Sequence, residues 1–175
     1  MFHSGTQRLL ATWAALPDAG RVPARASLDP TVLGPLLAQT FMAQRRGDDL
    51  VFRLAGGWIE RLHGRPLKGA GWLELWREDG RNLVSAAIAQ SIREARPVVI
   101  AAEVDPGGDP FEIAIAPLRS ADGVADRILG LYQPTRFGGQ ALKDIDGMIA
   151  RISMGVGDIR RAPLQLAAVD GRRVA

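Results

Sequence analysis

The chain has 175 residues, of which 47 % are hydrophobic and 23 % charged, with a formal net charge of +3 and no cysteine. This composition supports one buried core and excludes a wholly disordered chain. The lack of cysteine excludes disulfides, thiolate nucleophiles and Cys-ligated zinc or iron–sulfur sites. Basic residues are spread along the chain, which does not favour nucleic-acid binding, and no segment reaches the ~20 apolar residues of a membrane span. We therefore expect a cytoplasmic protein of one domain with short appendages.

The first 20 residues predict a helix with a single apolar stripe. Leu9, Trp13 and Leu16 follow one another at spacings of four and three residues, which places them on one helix face. Pro17 and Gly20 end the helix. Such a stripe is unstable when exposed, so it packs either on the body of the domain or on another copy of the chain. Leu9, Trp13 and Leu16 are therefore candidate contacts of a homodimer.

A short helix and a hairpin follow an irregular connector. Asp29 and Pro30 predict a helix start, because Asp is a good N-cap and Pro suits the first helical position. The Gly34-Pro35 pair shortens or distorts this helix. Residues 40–44 and 50–55 are strand candidates, and the Gly-Asp-Asp turn between them predicts a hairpin.

The middle of the chain is predicted to be helical and the part after it to form strands. Short helices are expected around 58–64 and 72–76, and a longer one over 79–95. Three strand candidates complete the body, over residues 98–104, 111–118 and 127–133. Their short connections predict an antiparallel meander.

The last part of the chain is predicted to be a linker, a helix and a loosely ordered tail. Phe-Gly-Gly at 137–139 is the linker, and an amphipathic helix follows from the spacing of Leu142, Ile145, Ile149 and Ile152. The predicted units are an N-terminal helix (1–20), the domain (21–136) and a C-terminal helix with a flexible tail (137–175). Together the elements predict an α+β fold, with a five-stranded antiparallel sheet, helices covering one face, and N- and C-terminal helices.

Two stretches of the sequence carry a family resemblance. The first is Pro-Ala-Arg-Ala-Ser-Leu-Asp-Pro at 23–30, followed by Leu33 and Leu36. The second is Phe-Arg-Leu-Ala-Gly at 52–56, followed by Leu-His-Gly-Arg at 62–65 and then Leu67-x-Gly69. Together they resemble a PAS-like family common in alphaproteobacteria, over residues 23–133. The resemblance implies a PAS fold, a role in sensing or protein interaction, and dimerisation, but no particular ligand.

Residues suited to catalysis or cofactor binding are scarce. His3 and His63 are the only histidines, and the chain has no Gly-x-Ser-x-Gly elbow for a nucleophile. His63 precedes Gly64 at a predicted helix end, which favours a structural role. Haem-binding PAS domains usually take an axial His from the long helix, and 79–95 has none, which argues against that arrangement and leaves His63 as the alternative ligand. A flavin–cysteine adduct is excluded, noncovalent flavin remains open, and we expect no metal site and no enzymatic activity.

The candidate ligand site is an aromatic-rich wall between the sheet and the short helices. Strand alternation places Phe52 and Leu54 on one face of the hairpin and Val51 and Arg53 on the other. The candidate pocket residues are Phe52, Leu54, Trp58, Leu62, Trp72, Trp76, Ile88, Ile92, Phe111, Ile113 and Ile115. The same side chains would also simply fill a core, because a pocket needs convergent polar groups. The polar candidates near this wall are Arg53, Arg65 and Glu112, which are otherwise surface residues.

The sequence leaves three kinds of function open. The first is a regulatory module that works through protein contact, as a homodimer or with a regulatory partner, with small-molecule sensing as an optional input. The second is a dedicated receptor for an apolar, aromatic or noncovalent flavin ligand. The third, an enzyme, lacks a nucleophile, a metal set and a cofactor loop. We expect the first.

Overall fold

The computed structural model describes residues 1–18, 21–105, 108–135 and 144–157, and the backbone of 168–169 and 172–173. The α-helices are α1 (Ser4–Ala14), α2 (Gly57–Leu62) and α3 (Glu78–Arg93). Short 3-10 helices cover Arg25–Ser27, Pro30–Gln39 and Leu73–Leu75. The main strands are β1 (Thr40–Arg46), β2 (Asp49–Ala55), β3 (Val98–Asp105), β4 (Pro110–Leu118), β5 (Arg127–Pro134) and β6 (Gly147–Gly155). Two short strands, β7 (Ala168–Val169) and β8 (Arg172–Arg173), pair with each other.

The main sheet has six strands in the order β2-β1-β5-β4-β3-β6, and every neighbouring pair is antiparallel. The hairpin β1–β2 and the meander β3–β4–β5 are both confirmed. They join where β1 pairs with β5. The α+β class with an antiparallel sheet is therefore correct, although the sheet has six strands rather than five.

The sixth strand lies where the sequence predicted a C-terminal helix, and that prediction is wrong. Residues 147–155 pair along the whole of β3, from Gly147 opposite Asp105 to Gly155 opposite Val98. Without β6 the backbone of β3 would be an open edge. Ile149 and Ile152 are β-branched and suit a strand, but Ile152 is 52 % exposed instead of lying on a buried helix face. The predicted linker 137–139 and Leu142 lie outside the described residues, as does the tail from 158 to 167.

One face of the sheet, called here the inner face, packs under α2, α3 and the 3-10 helix Leu73–Leu75. Its core contains inward residues of all six strands together with the tryptophans that precede and follow that 3-10 helix. The periodicity of the long helix is confirmed, since Val84, Ala87 and Ile88 are all buried against this core. Area burial of this kind contributes about 25 cal/mol per Å² of apolar surface.

The other face, called here the outer face, is also covered by helices. Helix α1 and residues 25–39 pack on a second core built from Val99, Ala114, Leu118, Leu129 and their neighbours. The backbone N–H of His3 donates to the carboxylate of Glu112 at 2.9 Å, and Trp13 Nε1 donates to the Pro117 carbonyl at 2.7 Å. Both ends of α1 are therefore bonded to β4.

The apolar stripe of α1 is thus used within the chain. Leu9 is 0 % exposed and Trp13 is 3 % exposed, and Leu16 packs at the edge of the same core. These three residues were candidate dimer contacts, but the side chains of Leu9 and Trp13 are already covered by the chain's own sheet. Of the two alternatives that the stripe allowed, the structure shows packing on the body of the domain.

Local sequence signals position the segment that crosses the outer face. Asp29 caps the 3-10 helix Pro30–Gln39, since its Oδ1 accepts from the Thr31 backbone N–H at 2.9 Å and from the Thr31 hydroxyl at 2.7 Å. These bonds lower the pKa of the Asp29 carboxyl. The predicted distortion is a kink at Gly34, where φ is +52°, a value that glycine adopts readily. The kink leaves the second half of the helix beside β1.

Candidate functional site

The predicted pocket residues fall mainly in the inner core, and there they fill space instead of lining a cavity. Eight of the eleven are at most 2 % exposed: Phe52, Leu62, Trp72, Trp76, Ile88, Phe111, Ile113 and Ile115. Trp58 and Ile92 are half-buried against the same core. Leu54 is the exception, because its side chain is 59 % exposed and lies on the opposite face. Ten of the eleven residues therefore lie together in or against the inner core.

The centre of the inner core is a cluster of aromatic rings. Trp72 lies 5.4 Å from Trp76 and 5.5 Å from Phe41, measured between ring centroids. Phe41 lies 5.3 Å from Phe52 and 5.8 Å from Tyr132. Three of these four pairs are edge-to-face, the arrangement that aromatic quadrupoles favour. A flavin or haem in this space would have to displace these rings.

Few polar groups reach this cluster. The indole N–H of Trp72 donates to the Tyr132 hydroxyl at 2.8 Å. Burial raises the pKa of Tyr132, and the bond from Trp72 opposes that rise, so the phenol stays protonated at neutral pH. Trp76 Nε1 is buried without a hydrogen-bond partner among the described residues. Tyr132 was not predicted as a site residue. Its position on a mostly apolar strand was the sequence feature that could have indicated its burial.

His63 lies beside the aromatic cluster, and burial lowers the pKa of its imidazole. It is the C-cap of α2, and its backbone N–H donates to the carbonyl of Ile59 at 3.1 Å. The predicted helix-end position is confirmed, but the backbone, not the ring, bonds the helix carbonyls. The imidazole meets Tyr132 edge-on at 5.9 Å, and its Nε2 is buried without a partner among the described residues. Burial, assisted by the charge of Arg65, lowers the pKa of His63 to about 4, so the ring is neutral at physiological pH.

A β-bulge explains why Leu54 leaves the inner face. Ala43 pairs with Phe52, and the preceding residue Met42 pairs with Leu54, so Arg53 is an extra residue in β2. A bulge of this kind shifts the alternation of a strand by one residue. Phe52 therefore points into the inner core, whereas Arg53 and Leu54 both line the outer face. The predicted alternation of 51–54 is therefore wrong only at Leu54, since Arg53 does lie on the face opposite Phe52.

The bulge opens onto a groove on the outer face, called here the outer groove. It has a volume of about 370 Å³ and lies between residues 25–37 and the strands β1, β2 and β5. Its residues are Arg25, Leu28, Pro30, Leu33, Leu37, Thr40, Phe41, Met42, Arg53, Leu54, Arg127 and Leu129. Of this set only Arg53 and Leu54 were predicted as site candidates, because the groove depends on strand pairing between distant segments.

The other polar candidates serve structural contacts. Arg65 forms an exposed ion pair with Glu74 at 3.6 Å, and Glu112 receives the N-terminal end of α1 as described above. Within the described ranges, no group of three or more His, Asp or Glu side chains is placed to hold a metal ion. None of the helices in those ranges has the length and hydropathy that a membrane crossing requires.

The chain is similar to one protein family and to solved structures. A family profile described as PAS domain matches residues 1–133. Among solved structures, the chain is similar to a Rhodobacter sphaeroides LOV protein at 15 % identity and a TM-score of 0.46, covering 81 % of this chain and 73 % of that one. A variant of RsLOV gives 16 % identity and a TM-score of 0.44 over the same shares. No curated protein sequence matches.

These observations agree on the family but do not name a ligand. The sheet order, the helical cover of the inner face and the matched profile all describe one fold. The profile covers well over half of the sequence, with the β1–β2 hairpin, α3 and the β3–β5 meander inside it. The chain therefore belongs to the PAS domain family, a family of sensory modules.

Proposed function

We propose that this chain is a non-enzymatic regulatory module that acts through protein contact, with a second copy of itself as the first partner and a small molecule as input. The observation that carries the contact is the end strand β6. It pairs with β3 on one side. On its other side the Arg77 N–H donates to the Met148 carbonyl at 2.8 Å, and Gly80 of α3 lies against Ala150. Beyond Ala150, no backbone hydrogen bond within the described residues occupies this outer side of the strand.

The side chains of β6 add apolar surface to that edge. Ile152 is 52 % exposed and Met154 is 42 % exposed, and both pair with outer-face residues of β3. An exposed apolar edge strand favours the addition of another strand. Two identical edges related by a two-fold axis are self-complementary in antiparallel pairing, which supports a second copy as the occupant. The stripe of α1 is covered by the sheet, so β6 replaces it as the proposed dimer contact.

The mass of the full chain in solution tests this proposal. We expect a dimer by light scattering and native mass spectrometry, and we expect Ile152→Asp to give a monomer with an unchanged circular dichroism spectrum. Val124→Asp is the matched control, because Val124 is 58 % exposed but lies in the β4–β5 connection. A monomeric wild-type chain, or a dimer that survives Ile152→Asp, would overturn the assignment of β6.

A small-molecule receptor is the second candidate function, and the outer groove is the observation that favours it. The filled inner core leads us to expect no flavin or haem, so the purified protein should show no visible absorbance. An absorbance band at wavelengths longer than those absorbed by the aromatic residues would contradict this expectation. Native mass spectrometry of the same sample reports any colourless ligand that copurifies.

A further inference from the structure

The outer groove has an apolar floor and apolar rims. Leu33 and Leu129 are buried at its base, while Leu37 and Leu54 are 37 % and 59 % exposed along its sides. The floor belongs to the outer core, and the rim side chains have part of their surface in solvent. Ligand pockets in proteins are typically concave, mostly apolar and about 300–1,000 Å³ in volume. At about 370 Å³ the outer groove lies at the small end of this range.

The charges of the groove have a single sign. Three arginines line it, at positions 25, 53 and 127, and no Asp or Glu is among its residues. Arg127 is paired with Asp126 at 3.1 Å. The side chains of Arg25 and Arg53 are exposed, and neither has an ion pair or hydrogen bond within the described part of the chain. Two unpaired guanidinium groups beside an apolar groove are complementary to an anion with an apolar body.

We propose that the outer groove binds an amphipathic monocarboxylate, such as a short acyl or aromatic acid. Its carboxylate accepts hydrogen bonds from Arg53 and Arg25, since guanidinium groups match carboxylates in a bidentate geometry. Its apolar body covers Leu37 and Leu54, which removes their surface from water. This inference rests on the small-molecule input in the proposed function, and it places that input on the outer face, away from the filled inner core.

The small volume and the few cations favour such a molecule over a larger partner. An acidic peptide would extend beyond a groove of this size, whereas standard protein interfaces bury about 800 Å² on each side. Arg53 is itself the extra residue of the bulge in β2. Bulges often re-aim a side chain at a functional site, and here the bulge turns Arg53 and Leu54 toward the same groove.

Calorimetric titration of the full chain with three probes tests the ligand class. We expect octanoate to bind with one site per chain, octanol to bind at least about tenfold more weakly because it lacks the charge, and acetate to show no binding because it lacks the apolar body. Octanol binding as tightly as octanoate would overturn the role of the arginines. A complete lack of octanoate binding would overturn the proposal.

Two variants with matched controls test the location. Arg53→Gln should weaken octanoate binding about tenfold or more, and Leu54→Asn should weaken it several-fold. Arg93→Gln, on the exposed end of α3, and Val124→Asn should leave the affinity unchanged, since these side chains are 71 % and 58 % exposed but lie outside the groove. Equal effects of Arg53→Gln and Arg93→Gln would indicate nonspecific attraction and overturn the site.

The outcome is separable from that of the proposed dimer. Octanoate binding by a monomeric chain would support this inference and overturn the β6 contact. If Leu54→Asn instead converted a dimer into a monomer, a second copy would occupy the groove and this proposal would be overturned.

Discussion

Acidification should destabilise this chain through His63, in a window set by its pKa. The imidazole is neutral in the folded protein because burial lowers its pKa from 6.5 to about 4. Between these values the unfolded chain binds a proton that the folded chain does not, so the free energy of unfolding falls as the pH falls. The loss is roughly 1 kcal/mol at about pH 5.5 and roughly 2–3 kcal/mol at about pH 4.5. Such losses are a large fraction of typical domain stability.

Urea denaturation across this window, for the wild type and for His63→Phe, measures the effect. The phenyl ring keeps the edge-on contact with Tyr132 and removes a buried nitrogen that lacks a partner among the described residues. We therefore expect the variant to be at least as stable at neutral pH and to lose less stability down to about pH 4.5. Carboxylates with lowered pKa, such as Glu94, contribute equally to both proteins. His3→Asn, which keeps a helix-capping side chain, should retain the acid sensitivity of the wild type. The same pH profile for wild type and His63→Phe would refute the reasoning.

Three further predictions concern the packing. Gly130→Ala should destabilise the chain by about 1–3 kcal/mol, because the added methyl would overlap the ring of Phe41. A double-mutant cycle with Phe41→Leu should show coupling between the two substitutions. Strictly additive free energies of unfolding would count against the contact. Trp72→Phe should cost about 1 kcal/mol more than Trp76→Phe, because only the Trp72 indole donates to a buried tyrosine hydroxyl; equal losses in thermal unfolding would contradict this. Trp13→Phe should lower the free energy of unfolding by about 1–3 kcal/mol, because it removes the 2.7 Å hydrogen bond to the Pro117 carbonyl of β4. The mass of the protein in solution should not change. A variant of lower mass in solution and unchanged stability would indicate that α1 is a dimer contact after all.

Much of the fold could be predicted from the sequence because its signals are local. The turn residues between β1 and β2, the Asp29 cap and the 3.6-residue period of α3 each act within a few positions of the chain. The short connections of the meander also fixed which strands are neighbours. Ten of the eleven predicted pocket residues lie in or against the inner core, since their composition alone indicated burial.

The predictions that failed depend on contacts between distant residues. The spacing of Ile145, Ile149 and Ile152 suits a helix, but 147–155 becomes a strand because β3 offers a free edge to pair with. The stripe of α1 fits a dimer or a sheet equally well, and only the structure shows that it packs on the sheet, in a core that includes Ala114 and Ala116 of β4.

The sequence by itself determined the class of the fold, the β1–β2 hairpin, the β3–β4–β5 meander and part of the inner core, because hydrophobic period and turn chemistry are properties of short segments. Only the tertiary structure shows that residues 147–155 form β6, that helices cover the outer face and that the outer groove exists. The physical reason is register: one extra residue in β2, opposite its partners in β1, turns Arg53 and Leu54 to the same side. A bulge is specified by the pairing of two strands, so the pattern of one strand does not contain it.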